Sequence, residues 1–236
     1  MKVCRVIMDM SRTQTEVYAV GNPWAGHISA VQSRYQESPK AYYDDLLKIM
    51  HKAKEREADL LIFPACTFVL TKGQSLEDAL GSFNIKGLCG GVLEGDQEYA
   101  FVRDQHQEAF SFNASRSVVL NDQSTNIFTA ISSSVKQFKS KDQFDRVGHN
   151  ALRGTQKSIV CDMGHHQYSG RYILTLRSVQ KKLSLLGYPN PAVVLSFWKY
   201  RGSNSRSDWA VNANLKERLP IANSVGGQDF LDLIDL

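Results

Sequence analysis

The sequence predicts a protein of the α/β class, and three stretches carry that expectation. An amphipathic helix beginning at Pro39 and lasting to about Glu57 runs directly into a short apolar strand, Leu60–Phe63. A second helix, Gly170–Leu186, runs through Gly187 and Pro189 into the apolar strand Ala192–Phe197. A third apolar run, Ser158–Cys161, ends in a cysteine with Asp162 directly behind it. Helices alternating with short buried strands are the pattern of an α/β fold rather than an all-β one.

The remaining elements follow in chain order. Val3–Met10 is apolar and β-branched enough for a strand, and Arg5 and Asp9 rule out the h-region of a signal peptide. Ser11–Ser38 is polar, carries Gly21, Pro23 and Gly26, and is expected to be a long loop or irregular insertion. In the helix after it, Tyr42, Leu46, Leu47, Met50 and Ala53 recur at spacings of three and four. Pro64 stops the strand that follows. Leu76–Leu80 is expected to be a short helix, and Gly87–Leu93 a glycine-rich strand ending in Glu94. Glycines at 90 and 91 imply close backbone approach or a bulge.

Tyr99–Arg103 and Ala109–Asn113 read as hairpin strands, with Ser117–Leu120 and Ile127–Ile131 as further strands. Trp198–Asp208 is expected to be a polar loop and Trp209–Arg218 a helix. Gly226 and Gly227 then suit a tight turn. There is no internal repeat and no GxGxxG or GK[ST] phosphate loop.

The 236 residues are expected to form one domain, 1–236. A composition 42% hydrophobic and 22% charged is that of an ordinary globular chain. The formal charge of +4, from 28 basic and 24 acidic residues, is spread too thinly for a nucleic-acid surface. Its densest basic stretch, Lys136–Lys141, reads as a solvated loop. No apolar run is long enough to span a membrane, so neither nucleic acid nor membrane is an expected partner. Cys4, Cys66, Cys89 and Cys161 show no CxxC spacing, and no metal or other cofactor is expected. Cys4, Cys66 and Cys89 read as small core residues of a reduced, cytoplasmic protein.

The candidate chemistry lies at SIVCDMGHHQ, residues 158–167. A thiol near the end of a buried strand stands where open α/β sheets hold ligands, and as a thiolate it would be a nucleophile. His165 and His166 follow within a short loop and are the nearest partners for a Cys–His pair. No further ligands are spaced to make the two histidines a metal site. Asp162 reads as a structural acceptor rather than a base, and Trp198 and Trp209 as core residues rather than pocket walls.

Four blocks, in order, resemble the nitrilase or carbon–nitrogen hydrolase superfamily. They are ADLLIFPACTF, GVLEGDQEYA, SIVCDM and IANSVGGQDFL, and together they span nearly the whole chain. The resemblance implies an α-β-β-α sandwich of two packed sheets flanked by helices, paired into a homodimer. It also implies a mechanism. A cysteine attacks a small amide or nitrile and forms a thioester, a glutamate moves the protons, a lysine steadies the oxyanion, and a second glutamate braces the site. Cys161 matches the nucleophile and Glu94 the second glutamate.

Two positions depart from that pattern. Ala65 stands where the family has its glutamate base. In FSFNASRSVVL, where the lysine is expected, Ser115 or Arg116 falls nearest, and Arg116 is the candidate for a substitute cation. The chain also ends soon after VGGQD, short of the last strands of a full domain. The expectation is therefore a catalytically impaired or inactive hydrolase-like protein, a pseudoenzyme acting as a binding or oligomeric scaffold. The alternative is an active amidase-like thiol hydrolase built on Cys161 with a rearranged base. A third reading is an unrelated Cys–His thiol enzyme on another α/β fold.

Overall fold

A computed structural model describes residues 2–9, 23–81, 85, 87–104, 109–113, 117–121, 129–132, 158–162, 192–199, 210–211, 214–222 and 229–235. Side-chain burial is described for fewer: 2–9, 28–81, 85, 87–97, 196, 198, 216–221 and 229–235. The class is α/β, with helices and two mixed sheets.

The first sheet is built on β1 (Lys2–Asp9), buried from Val3 to Asp9 without a solvent-facing side. A strand covered on both faces reads as a continuous apolar run, as this one does around Arg5. On one side it pairs antiparallel with β14 (Asp229–Asp235), itself paired with β13 (Asn214–Ala222). On the other side β1 pairs parallel with β2 (Leu60–Ile62), which pairs parallel with β4 (Gly87–Glu94). The meander then continues through β5 (Gln97–Asp104) and β6 (Ala109–Asn113).

Three residues of β2 cannot span the eight of β1 and β4. Beyond Ile62 the sheet therefore forks. The upper part of β1 takes β11 (Phe197–Lys199), and the upper part of β4 takes β3 (Phe68–Leu70). Both pairings are parallel, so the fork opens toward the C-terminal ends of the strands.

The second sheet runs in the order β12 (Ala210–Val211), β10 (Ala192–Leu195), β9 (Ser158–Asp162), β7 (Ser117–Asn121), β8 (Thr129–Ser132). What reads in sequence as one strand, Ala192–Phe197, is two: β10 belongs to the second sheet and β11 to the first. The break is the buried Ser196, whose hydroxyl points its proton at the Val6 and Ile62 carbonyls, 2.6 and 3.0 Å away. A polar residue is needed there because those carbonyls are buried at the fork.

Of the helices, α1 (Pro23–Glu37) occupies much of the stretch expected to be a loop. Its glycine and proline lie in the first turn, where they do not break a helix. Next comes α2 (Pro39–Glu55), capped by Ser38 with Pro39 at its first position. It buries Tyr42, Leu46, Ile49, Met50 and Ala53. The short α3 (Leu76–Leu80) has a capping box of Ser75 and Asp78.

Within the expected helix Trp209–Arg218 the described residues are instead strand. Residues 210–211 form β12, and Asn214–Ala222 forms β13 with the chain running on through Arg218. Its helix-forming residues are overridden by the ladder to β14. The exposed Lys216, Glu217 and Pro220 suit an outer strand. Of the expected loop Trp198–Asp208, Trp198 and Lys199 are strand, in β11 (Phe197–Lys199), and residues 200–208 lie outside the described residues. The expected helix Gly170–Leu186 lies outside the described residues.

Charge enters this core only in partnership. Asp232 of β14 is fully buried and accepts from Arg5 Nε and Nη2 at 3.1 and 3.0 Å. It also accepts from Arg218 Nε and Nη2 at 2.8 and 3.0 Å. Asp232→Asn removes the buried carboxylate charge that Arg5 and Arg218 share and is expected to cost about 3–5 kcal/mol. Glu217→Ala breaks only the outer Arg56–Glu217 pair, whose glutamate side chain is 44% exposed. That loss is expected to be under about 1 kcal/mol. Urea unfolding of the two variants separates these outcomes.

Cys4, Cys66 and Cys89 are all fully buried, as expected of core residues. Burial pushes the Cys4 thiol up to about 12, against a smaller opposing pull from Arg56. The unfolded chain gives up this proton near about 8.5. Between those values the folded state holds the extra proton, so stability falls as pH rises. Melting temperature against pH is expected to drop more steeply above pH ~8.5 in the wild type than in Cys4→Ala.

Candidate functional site

The fork is where the described polar groups converge. The β2–β4 ladder continues briefly past Ile62: the Phe63 amide donates to the Cys89 carbonyl at 2.8 Å, and the Gly91 amide to the Pro64 carbonyl at 3.1 Å. The chain then turns out of the sheet at Ala65 and Cys66, and Cys66 has φ of 58°. A side chain in this left-handed region is held by its surroundings, at a cost of about 1–3 kcal/mol.

The surroundings are specific. Trp198 Nε1 donates to the Ala65 carbonyl at 2.7 Å. The Thr67 hydroxyl donates to the Pro64 carbonyl at 2.8 Å, and the Tyr42 hydroxyl to the Thr67 carbonyl at 2.7 Å. Tyr43 donates to the Val69 carbonyl at 2.6 Å. Below the turn, a Cβ on Gly91 would stand 2.4 Å from Ala65 Cα and Cys66 N. The close backbone approach expected of the 90–91 glycines is thus real at Gly91.

A charged pair closes the cluster. The Asp229 carboxylate accepts from the Asp9 amide at 2.7 Å and from Arg34 Nη2 at 2.9 Å. The Arg34 guanidinium carbon lies 5.7 Å from the Tyr42 ring centre and 5.8 Å from that of Trp198. Burial pushes the Asp229 carboxyl upward, while Arg34 and the Asp9 amide pull it back. Burial works most strongly against the Arg34 charge, but Asp229, Tyr42 and Asp45 together outweigh it and Arg34 stays a guanidinium. Burial pushes the Tyr42 phenol upward, so it remains a neutral donor.

These groups bind one another and the main chain. Tyr42, Thr67 and Trp198 direct donors at carbonyls, and both Asp229 oxygens accept. The arrangement fixes a turn and a strand edge. No group of three or more metal-ligating side chains occurs among the described residues.

The residues singled out in the sequence fall as follows. Ala65 is at the fork, 4% exposed, with Trp198 bonded to it and fully buried. Glu94 ends β4, half-buried, in register with Leu70 and Gln97. Cys161 lies in the other sheet, on β9, in register with Val118 and Val194, with Asp162 opposite Ser117 and Leu195. The surroundings of the Cys161 and Asp162 side chains lie outside the described residues, as do Ser115, Arg116, His165, His166, Trp209, Gly226, Gly227 and Lys136–Lys141.

Arg34, Asp9 and Asp229 were not legible as a cluster. The one available signal was the spacing of Ile28, Val31 and Tyr35, a helical stripe inside the supposed loop. No family profile matches the chain, and no curated protein sequence matches it.

Gly91→Ala drives a methyl group into the Ala65–Cys66 backbone. It is expected to cost about 3 kcal/mol. A loss under about 0.5 kcal/mol in urea unfolding would mean that the turn is not held against β4.

Proposed function

We propose that this chain is a carbon–nitrogen hydrolase-like protein that has lost its chemistry and acts by binding, as a scaffold that pairs with a second copy of itself. The observation carrying the reading is the state of Ala65. At the place where a hydrolase of this type would need its general base, the chain has a methyl group. The backbone there is bonded to Trp198 and pressed on Gly91. A missing base typically costs about two to four powers of ten in rate, and a missing oxyanion cation a similar amount.

Further support comes from the order of elements. A helix leads into β2 and the PAC turn, Glu94 ends β4, and Cys161 stands one residue from the end of β9. Two sheets with helices are compatible with an α-β-β-α sandwich. Cys161 and Glu94 then remain as inherited positions, and a small amide or nitrile is the ligand class such a site would bind without turnover.

Ammonia release from a panel of small amides and nitriles tests the reading. Wild-type protein is expected to match the Cys161→Ser background. Turnover that Cys161→Ser abolishes would overturn the proposal in favour of an active thiol hydrolase with another base. Sedimentation is expected to give a dimer.

A further inference from the structure

We propose that α1 is a strap lying across the fork of the first sheet, latched by the Arg34–Asp229 pair, and that its release opens the crevice beneath. The placement follows from its contacts. Gln32 Nε2 donates to the Gly95 carbonyl at 2.6 Å, just past the C-terminal end of β4. Two residues on, Arg34 reaches Asp229, which holds the amide of Asp9 at the C-terminal end of β1. The helix therefore bridges the C-terminal ends of β1 and β4, the two strands that part at the fork. Arg34 lies beside the Trp198 ring, which is bonded to the turn at Ala65.

Crevices at the carboxyl ends of strands are where open α/β sheets take ligands. Here that place is covered by the protein's own helix. The cover is separable. A single non-helical residue, Ser38, with φ of −162° and ψ of 91°, joins α1 to α2 and is a ready hinge. Behind it, α2 buries six residues. The described part of α1 is held by buried Ala30, Val31 and Arg34, by Ile28 packed against the core, by the Tyr35 ring edge-on to Tyr42 and Tyr43, and by the polar contacts of Gln32 and Arg34. An element that hinges at one end and is held at its edge by polar contacts is one that opens locally, ahead of the strands beneath it. This inference is independent of whether the chain hydrolyses anything.

Hydrogen exchange on the full chain, combined with iodoacetamide labelling and peptide mass spectrometry, tests the strap. In Arg34→Met, amides of residues 23–37 are expected to exchange about tenfold faster or more. Cys66 is expected to gain reactivity, while Cys4, Cys89 and the amides of β1 keep their protection. In Gln32→Ala, which loses one exposed hydrogen bond, exchange in the same helix is expected to rise about two- to tenfold. If Arg34→Met does not fold, Gln32→Ala decides alone.

Three results would overturn the inference. The first is unchanged α1 exchange in every variant that folds. The second is loss of protection at Cys4, Cys89 and β1 together with α1, which would make the pair part of the core. The third is a Cys66 that stays unreactive although α1 exchanges fast.

Discussion

Polar groups taken into the first sheet have to be met by partners inside the protein, because unmet burial costs several kcal/mol per group. That constraint explains features that apolar packing alone does not. Asp232 sits between Arg5 and Arg218 and ties β1, β13 and β14 together. Ser196 answers two carbonyls where the sheet divides. Asp229 answers the last amide of β1 and brings α1 with it. Each partnership joins segments far apart in the chain, so the hydrogen bonds that satisfy the interior also set the topology.

The fork follows from the length of β2. Three residues of strand leave the upper halves of β1 and β4 without a shared neighbour, and two separate strands fill the gap. In an enzyme such a gap is room for a substrate. Here the PAC turn, Trp198 and Arg34 of α1 meet at that end of the sheet. Neutral tyrosine, indole and a guanidinium paired with the Asp229 carboxylate are the groups of a stable joint. The proposal of a binding protein rests on Ala65, at the turn these groups hold.

Much of the scaffold was legible because its signals are local. Ser38 with Pro39 starts α2, and the Tyr42-to-Ala53 stripe carries it. Ser75 and Asp78 bracket the start of α3. Gly95 at φ of 63° makes the tight turn between β4 and β5. Other segments misled for equally physical reasons. Residues 209–218 are rich in helix formers, yet extended pairing with β14 prevails. The helix α1 hides behind an early glycine and proline that are harmless in a first turn.

The sequence by itself determined which segments are helical or extended wherever capping and periodicity agreed, and it placed alanine at the position of the expected base. Only the tertiary structure decided that Ala192–Phe197 divides between two sheets, that Arg34 meets Asp229, and that the Ala65 carbonyl is taken by Trp198. The physical reason is range. Caps and stripes are written within a few residues of each other. The partner of a buried charge or carbonyl is chosen by which strands lie side by side, across 195 residues for Arg34 and Asp229.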